Sequence, residues 1–107
     1  WYDGVELDLS SKQIGPQGAN ALAEALKNNQ RLTTLDLLWN RIGDRGVRTL
    51  GEALQVNRTI VHLHLNGNRI GDQGAKVIAE VLKNNPQIST LGLGGNLISD
   101  LGVKAIA

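Results

Sequence analysis

Residues 60–74 read IVHLHLNGNRIGDQG, and the rest of the chain repeats this pattern with variations. Leu63 and Leu65 are two positions apart, so both side chains point to the same side of a β-strand. Asn68, Ile70 and Gly74 follow at a spacing that suits a turn leading from that strand into a helix. The pattern is therefore Leu-x-x-Leu-x-Leu-x-x-Asn-x-Ile-x-x-x-Gly, with isoleucine at its first position here.

The pattern recurs every 28 residues without an insertion. Residues 32–59 and 60–87 are identical at 11 of 28 positions. The aligned rows are Leu7, Leu35, Leu63 and Leu91; Leu9, Leu37, Leu65 and Leu93; Ile14, Ile42, Ile70 and Ile98; and Gly18, Gly46, Gly74 and Gly102. A strict period between about 20 and 50 residues is typical of a solenoid, in which each repeat packs on its neighbours.

We therefore predict a single α/β domain over residues 1–107, built as a right-handed solenoid of four repeats. The predicted repeats are 4–31, 32–59, 60–87 and 88–107, of which the last is truncated. Adjacent parallel strands lie about 4.8 Å apart, whereas helices are about 10 Å across. The strands must then line the concave side of the curve, and the helices must lie on its convex side.

These rows resemble the leucine-rich repeats of the ribonuclease-inhibitor type, over nearly the whole chain from about Val5 to Ala107. Similar repeats form the sensing arms of cytoplasmic NOD-like receptors and occur in GTPase-activating proteins of nuclear transport. The resemblance implies a horseshoe segment that binds a partner protein in the cytoplasm, and we expect the chain to be a fragment of a larger receptor or scaffold. Lys12 and Gly4 depart from the pattern, because the other repeats carry asparagine and Leu or Ile there, so the first repeat is degenerate.

Local signals predict where the helices begin and end. Pro16 suits the first turn of a helix, and Asp44 is a natural N-cap that recurs as Asp72 and Asp100. The pair Asn28-Asn29 is expected to end the first helix, because asparagine tolerates the left-handed conformation.

Two rows of small or polar residues have a predicted structural role. A helix packed on the strand-to-helix turn leaves no room for a β-carbon, so a bulky residue at Gly46 or Gly74 should push the helix off the sheet. Asn40, Asn68 and Asn96 sit in turns where an amide can satisfy both buried donors and buried acceptors. In similar proteins these asparagines form a ladder along the stack.

Composition excludes several classes of function. The 107 residues carry a formal net charge of +1 and no cysteine. A near-neutral chain argues against a dedicated nucleic-acid binder, and the lack of cysteine excludes disulfides and thiolate metal sites. No apolar run reaches membrane-spanning length, and no signal peptide opens the chain. The triplet Asn57-Arg58-Thr59 matches a glycosylation sequon, which we interpret as chance. No cofactor is predicted.

The outward-facing strand residues offer a binding surface. They form rows across the strands, and the predicted partner-binding residues are Glu6, Asp8, Asp36, Leu38, Trp39, His62, His64 and Asn66. Trp39 stands where the other repeats carry serine or glycine, and tryptophan is enriched in binding hot spots. The alternative is that Trp39 folds back over its neighbours. Acidic residues at one end of the surface and arginines on its rim suit selective protein docking.

Two other readings remain open. His62, His64 and Asp36 are a zinc-site alternative, although no third strong ligand is forced and a solvated polar face is favoured. The resemblance to GTPase activators implies a role in GTP hydrolysis, for which Arg41 or Arg69 is the candidate residue. Catalysis by the chain itself is not predicted, because no nucleophile is placed opposite the histidines.

The ends of the stack carry a third expectation. Trp1 and Tyr2 would cover the first repeat, whereas the last repeat would expose apolar side chains and allow self-association by end-to-end stacking. The apolar residues at that end are Leu91, Leu93, Ile98 and Ile106.

Overall fold

The structure is a computed structural model that describes residues 5–98 and Gly102. Strands and helices alternate along the chain, and the four strands form one parallel sheet in sequence order. The elements are β1 (Val5–Asp8), α1 (Gly15–Lys27), β2 (Leu32–Asp36), α2 (Gly43–Val56), β3 (His62–His64), α3 (Asp72–Asn84) and β4 (Thr90–Gly92). This α/β arrangement confirms the predicted fold class.

The strand register reproduces the sequence period. Leu7 pairs with Leu35, Leu35 with Leu63, and Leu63 with Leu91, so each strand is offset from the next by 28 residues. The predicted row of leucines therefore lies side by side across the sheet. The three helices pack next to one another in chain order on the other layer.

The core lies between the sheet and the helices, as the periodicity predicts. Leu35, Leu37 and Ile42 from the second repeat are fully buried, and Leu63, Leu65 and Ile70 repeat this in the third. The first repeat differs. Leu7, predicted to face the core, is 36% exposed, because β1 has a described neighbour on only one side. The expected cover of Trp1 and Tyr2 falls on residues outside the described range, as does Ile106.

The helix starts correct one prediction. The Pro16 prediction is confirmed, because α1 has proline in its first turn. Asp44, however, is not an N-cap: α2 begins one residue earlier, and no side chain caps it. The Asp44 carboxylate instead accepts the backbone N–H of Gly71 in the next repeat, at 2.6 Å. It thus links two repeats while remaining in the helix's first turn, where a negative charge is favourable. Asp72 is the first residue of α3, after Gly71 at the N-cap, and Asp100 falls outside the described residues.

The first helix ends at Lys27 with Asn28 as its C-cap, as predicted, but not for the predicted reason. Asn28 has φ −105° and Asn85 has φ −135°, so neither adopts the left-handed conformation. An asparagine side chain instead holds the turn between the helix and the next strand. Asn29 accepts the N–H groups of Arg31 and Leu32 at 2.8 Å, and Asn57 occupies the same place one repeat later.

Asn57 belongs to a second set of structural asparagines. It is fully buried, and its amide donates to the carbonyls of Leu26 and Asn29 while its oxygen accepts the N–H of Thr59. Both ends of the amide are therefore engaged between repeats. The Asn57 nitrogen has no room for a glycan in the folded chain, so a glycan attached there would be incompatible with this packing.

The glycine row lacks space for a side chain, as predicted, although the obstacle is more specific than a helix packed on a turn. A β-carbon on Gly18 would lie 2.6 Å from Cγ2 of Ile14. One on Gly74 would lie 2.7 Å from Cγ2 of Ile70 and 2.6 Å from Oδ1 of Asp44. Glycine is therefore needed both by the isoleucine at the helix start and by the carboxylate of the preceding repeat.

The asparagine ladder is confirmed in the turns. Asn68 is fully buried; its oxygen accepts the N–H of Asn40 at 3.0 Å, and its amide donates to Leu37 O at 2.8 Å. Asn96 accepts the N–H of Asn68 at 2.7 Å, and Lys12 donates its backbone N–H to Asn40 at 2.8 Å. These turns are thereby fixed relative to one another.

No helix in the described part of the chain is long and apolar enough to cross a membrane.

Candidate functional site

The outward-facing side of the sheet, together with the residues that follow each strand, is termed the strand face. Its pairing places Asp8 beside Asp36 and Asp36 beside His64, while Thr34 lies between Glu6 and His62. The sequence therefore predicted the neighbours on this surface correctly.

The acidic end of the strand face is ordered by the turn that follows β1. Asp8 accepts the backbone N–H of Ser10 at 3.0 Å and its hydroxyl at 2.7 Å. These hydrogen bonds, and to a smaller degree the charge of Lys12, hold the pKa of Asp8 below its ordinary value of 3.8. Asp36 makes the equivalent contact, accepting the N–H of Leu38 at 3.1 Å. Both aspartates therefore brace turns as well as charging the surface.

The two histidines share the middle of the strand face but have different neighbours. Nδ1 of His62 lies 2.9 Å from the Thr90 hydroxyl, within hydrogen-bond distance. His64 lies one strand from Asp36. Within residues 5–98 and at Gly102, no three His, Asp or Glu side chains come close enough to hold a metal ion. The geometry of the described residues thus gives no support to the zinc alternative.

Asn66 extends the surface toward the last strand. A β-carbon on Gly92 would collide with the Asn66 amide oxygen, and one on Gly94 would lie 3.2 Å from its nitrogen. The Asn66 side chain therefore lies directly over the backbone of two glycines, and this part of the strand face is flat and polar.

Trp39 packs on its neighbours, as the alternative reading proposed, and it also stays exposed. Its ring lies over Gly67, where a β-carbon would collide with it, and reaches to within 3.5 Å of the β-carbon position of Gly95. The side chain is nevertheless 60% exposed. Trp39 thus packs on the glycines of the next two repeats with one part of its surface and presents the rest to solvent.

The backbone at Trp39 is left-handed, with φ 57°. Gly67 and Gly95 occupy the equivalent position with φ 70° and 69°, and glycine adopts this region at no steric cost. The Trp39 N–H donates to the Asn66 carbonyl at 3.0 Å, as the Gly67 N–H does to Gly94 at 2.9 Å. The ladder between repeats therefore imposes the conformation, and a bulky residue adopts it at a cost of about 1 to 2 kcal/mol.

A groove of about 380 Å³ opens beside Trp39 on the rim of the strand face. It is lined by Trp39, Arg41, Gly67, Arg69, Gly95 and Leu97, and is termed the rim groove. Leu97 is 70% exposed, and both arginines are exposed. The sequence singled out Trp39 and the two arginines separately but missed Leu97. Its alignment with Arg41 and Arg69 at the 28-residue period was the available signal.

The comparisons with known proteins follow the same period. The leucine-rich repeat family matches residues 28–51, 56–79 and 84–107, which together are more than half of the chain. The chain therefore belongs to the leucine-rich repeat family, whose solenoids are protein-interaction folds. No curated relative matches the sequence.

One solved structure with a similar fold is the actin-binding site 2 (ABS2) of leiomodin-1. The two chains superimpose with a TM-score of 0.83 and 23% sequence identity, over 94% of this chain and 60% of that chain. This chain thus spans less than two thirds of the leiomodin-1 chain. At this level of identity the likeness establishes the fold alone.

Proposed function

We propose that this chain binds a partner protein on its concave strand face. The contact is centred on Asp36, Leu38, Trp39, His62 and His64 and extends to Glu6, Asp8 and Asn66. The observation that carries the proposal is Trp39, a large aromatic residue that is 60% exposed in a backbone conformation favouring glycine. Strained and exposed residues of this kind cluster at functional sites, and tryptophan is enriched in binding hot spots.

The proposal extends to the type of repeat and its setting. Helices of 13 or 14 residues in a 28-residue repeat suit the ribonuclease-inhibitor type, with its long helical segment. We place the chain in a cytoplasmic receptor or scaffold of the kind seen in NOD-like receptors. A standard interface needs about 800 Å² per partner, and four short strands offer a small surface. Further repeats in a longer solenoid would therefore strengthen the binding.

The test is a quantitative capture experiment with three forms of the immobilised chain. Wild type is compared with Trp39→Gly and with Val56→Ser, which alters a 55% exposed apolar residue at the end of α2. Purified actin is included as a defined candidate, because the similar leiomodin-1 structure is an actin-binding site. We expect Trp39→Gly to lose captured proteins that Val56→Ser retains. An identical set from all three forms would remove Trp39 from the interface.

A role in GTP hydrolysis is the second candidate, and the guanidinium groups of Arg41 and Arg69 are its support. No hydrogen bond or ion pair joins either group to another described residue, so both are free to reach a partner. A stimulated hydrolysis assay with purified small GTPases is decisive. The role predicts acceleration that Arg41→Ala or Arg69→Ala abolishes, and acceleration that survives both substitutions would reject it.

Self-association through the ends of the solenoid is proposed separately. Val5 and Leu7 are exposed on β1, and Leu91 and Leu93 on the opposite side are only half-buried. Sedimentation velocity over a hundredfold range of concentration tests it, and a constant monomer coefficient would reject it.

A further inference from the structure

We infer that the rim groove binds an extended acidic segment of the partner, with one apolar side chain seated against Trp39 and Leu97. This inference rests on the proposed protein-binding function and names the chemistry of the segment recognised. Its support is the charge, the backbone and the shape of the groove.

The charge of the rim groove is positive and uncompensated. Arg41 and Arg69 both line it, and no acidic residue does. Asp44 follows Arg41 by three residues and accepts the N–H of Gly71, and Asp72 follows Arg69 at the same spacing. Neither guanidinium group makes a hydrogen bond or ion pair with another described residue. Carboxylates are the groups that arginine binds with two parallel hydrogen bonds.

The backbone of the rim groove is fixed in an unusual form. Trp39, Arg41 and Arg69 have φ 57°, 56° and 58°, so three of its four lining residues with large side chains are left-handed. The ladder hydrogen bonds from Trp39 to Asn66 and from Gly67 to Gly94 hold these turns in place. The two arginine side chains therefore extend from a rigid backbone, and their binding costs less conformational entropy than binding by a flexible loop.

The shape of the rim groove suits an extended chain. The Trp39 ring lies over Gly67 and reaches Gly95, so the exposed part of the ring and Leu97 supply the apolar surface of the groove. Arg41 and Arg69 lie one repeat apart, about 5 Å at the sheet and more beyond it, where the repeats fan out. Alternate residues of an extended peptide are about 6.6 Å apart, so carboxylates at positions i and i+2 match this spacing.

The experiment uses a nine-residue dye-labelled peptide in which aspartates alternate with alanine and flank a central leucine. Fluorescence polarisation measures its dissociation constant, and NMR spectra report on the amides of Gly67 and Gly95. The double substitution Arg41→Gln/Arg69→Gln should weaken binding about fivefold to tenfold, since exposed ion pairs contribute modestly. Trp39→Gly should weaken it about tenfold, because the aromatic surface is lost.

The matched control is Arg31→Gln/Arg48→Gln, which removes the same charge from two exposed arginines outside the rim groove. We expect it to change the dissociation constant less than twofold. Equal losses in both double variants would mean that general charge attraction drives binding, which overturns the inference. An asparagine-for-aspartate peptide that binds as tightly as the original would overturn it as well.

Failure here differs from failure of the proposed function. If the chain captures a partner in a Trp39-dependent way while no acidic peptide binds, the strand-face proposal stands and the acidic segment is rejected. If the acidic peptide shifts the amides of Gly67 and Gly95 while no Trp39-dependent partner is captured, the rim groove stands and the wider interface is rejected.

Discussion

Replacing Asn68 by alanine should remove a junction between two repeats, and its cost follows from the contacts of one amide. The amide nitrogen donates to Leu37 O at 2.8 Å and to Asn66 O at 3.2 Å. The amide oxygen accepts the N–H groups of Asn40 at 3.0 Å and Ile42 at 3.3 Å. Asn68→Ala would take this partner from all four backbone groups in a fully buried site, and only the Asn66 carbonyl would keep another partner, the Trp39 N–H.

The expected loss is about 4 kcal/mol of unfolding free energy. A hydrogen bond contributes about 1 kcal/mol net, and a buried group left unpaired costs about 1 to 3 kcal/mol. The lower figure applies to most of the four groups, because water can enter part of the space that the amide vacates. A chain of this size has a total stability of about 5 to 15 kcal/mol, so the substitution should be severe without always unfolding the protein.

Urea unfolding followed by circular dichroism measures this loss. With a slope of about 1.5 kcal/mol per M, the midpoint should fall by about 2 to 3 M. Asn84→Ala is the matched control, because it removes an exposed asparagine whose side chain donates one hydrogen bond, to Glu80 O at 3.2 Å. That control should change stability by less than about 0.5 kcal/mol.

The substitution Asn68→Asp separates the two halves of the amide. Its carboxylate keeps an acceptor for Asn40 and Ile42 but faces the carbonyls of Leu37 and Asn66 with a negative charge. Burial and those carbonyls should raise its folded-state pKa above the unfolded value, so the folded state binds the proton more tightly. Stability of this variant should therefore fall as pH rises between those two pKa values. If Asn68→Ala costs no more than Asn84→Ala, or if Asn68→Asp has the pH profile of the wild type, the ladder argument is wrong.

Three further predictions follow from local contacts. Gly51→Ala should destabilise the protein by about 1 to 2 kcal/mol, because its β-carbon would lie 2.6 Å from Cγ1 of Val77. In a Val77→Ala background the same change should stabilise by about 1 kcal/mol, because alanine favours a helix and the clash is gone. A double-mutant cycle that shows no coupling between the two positions would refute this. Trp39→Gly should be about 1 kcal/mol more stable than Trp39→Ala in urea unfolding, because glycine adopts φ 57° without strain and alanine does not. The opposite order of stability would show that the turn is not held in the left-handed conformation. Asp8 has a lowered pKa, so its contribution to stability is present above the ordinary pKa of 3.8 and is lost as pH falls through the lower folded-state pKa. In an NMR titration of Ser10→Ala, the pKa of Asp8 should move part of the way back up, because the backbone N–H of residue 10 still donates to it. An unchanged pKa would mean that the Ser10 hydroxyl does not contribute to the shift.

Much of the strand face could be predicted because strand geometry is regular. Side chains alternate, and parallel strands offset by 28 residues bring equivalent positions together, so Asp36 had to lie beside His64. The rim groove could not be predicted in the same way. It depends on the direction in which the Trp39 ring points from its left-handed backbone, and on the distances in space between Leu97 and the two arginines. Spacing along the sequence determines neither.

Asp44 shows why a local signal can mislead. An aspartate near a helix start usually caps its own helix, which is a rule about neighbours in sequence. In the folded chain the N–H of Gly71, 27 residues away, lies 2.6 Å from its carboxylate. Competition between a local donor and a donor on the next repeat is resolved only when the repeats are stacked.

The sequence by itself determined the period, the alternation of strand and helix, the leucine core and the Asn40–Asn68–Asn96 ladder, because each depends on the same residue types recurring at fixed spacing. Only the tertiary structure decided the partner of Asp44, the buried role of Asn57 and the exposure of Trp39. Those features arise where one repeat meets another, and the atoms that meet there are brought together by the packing of whole repeats.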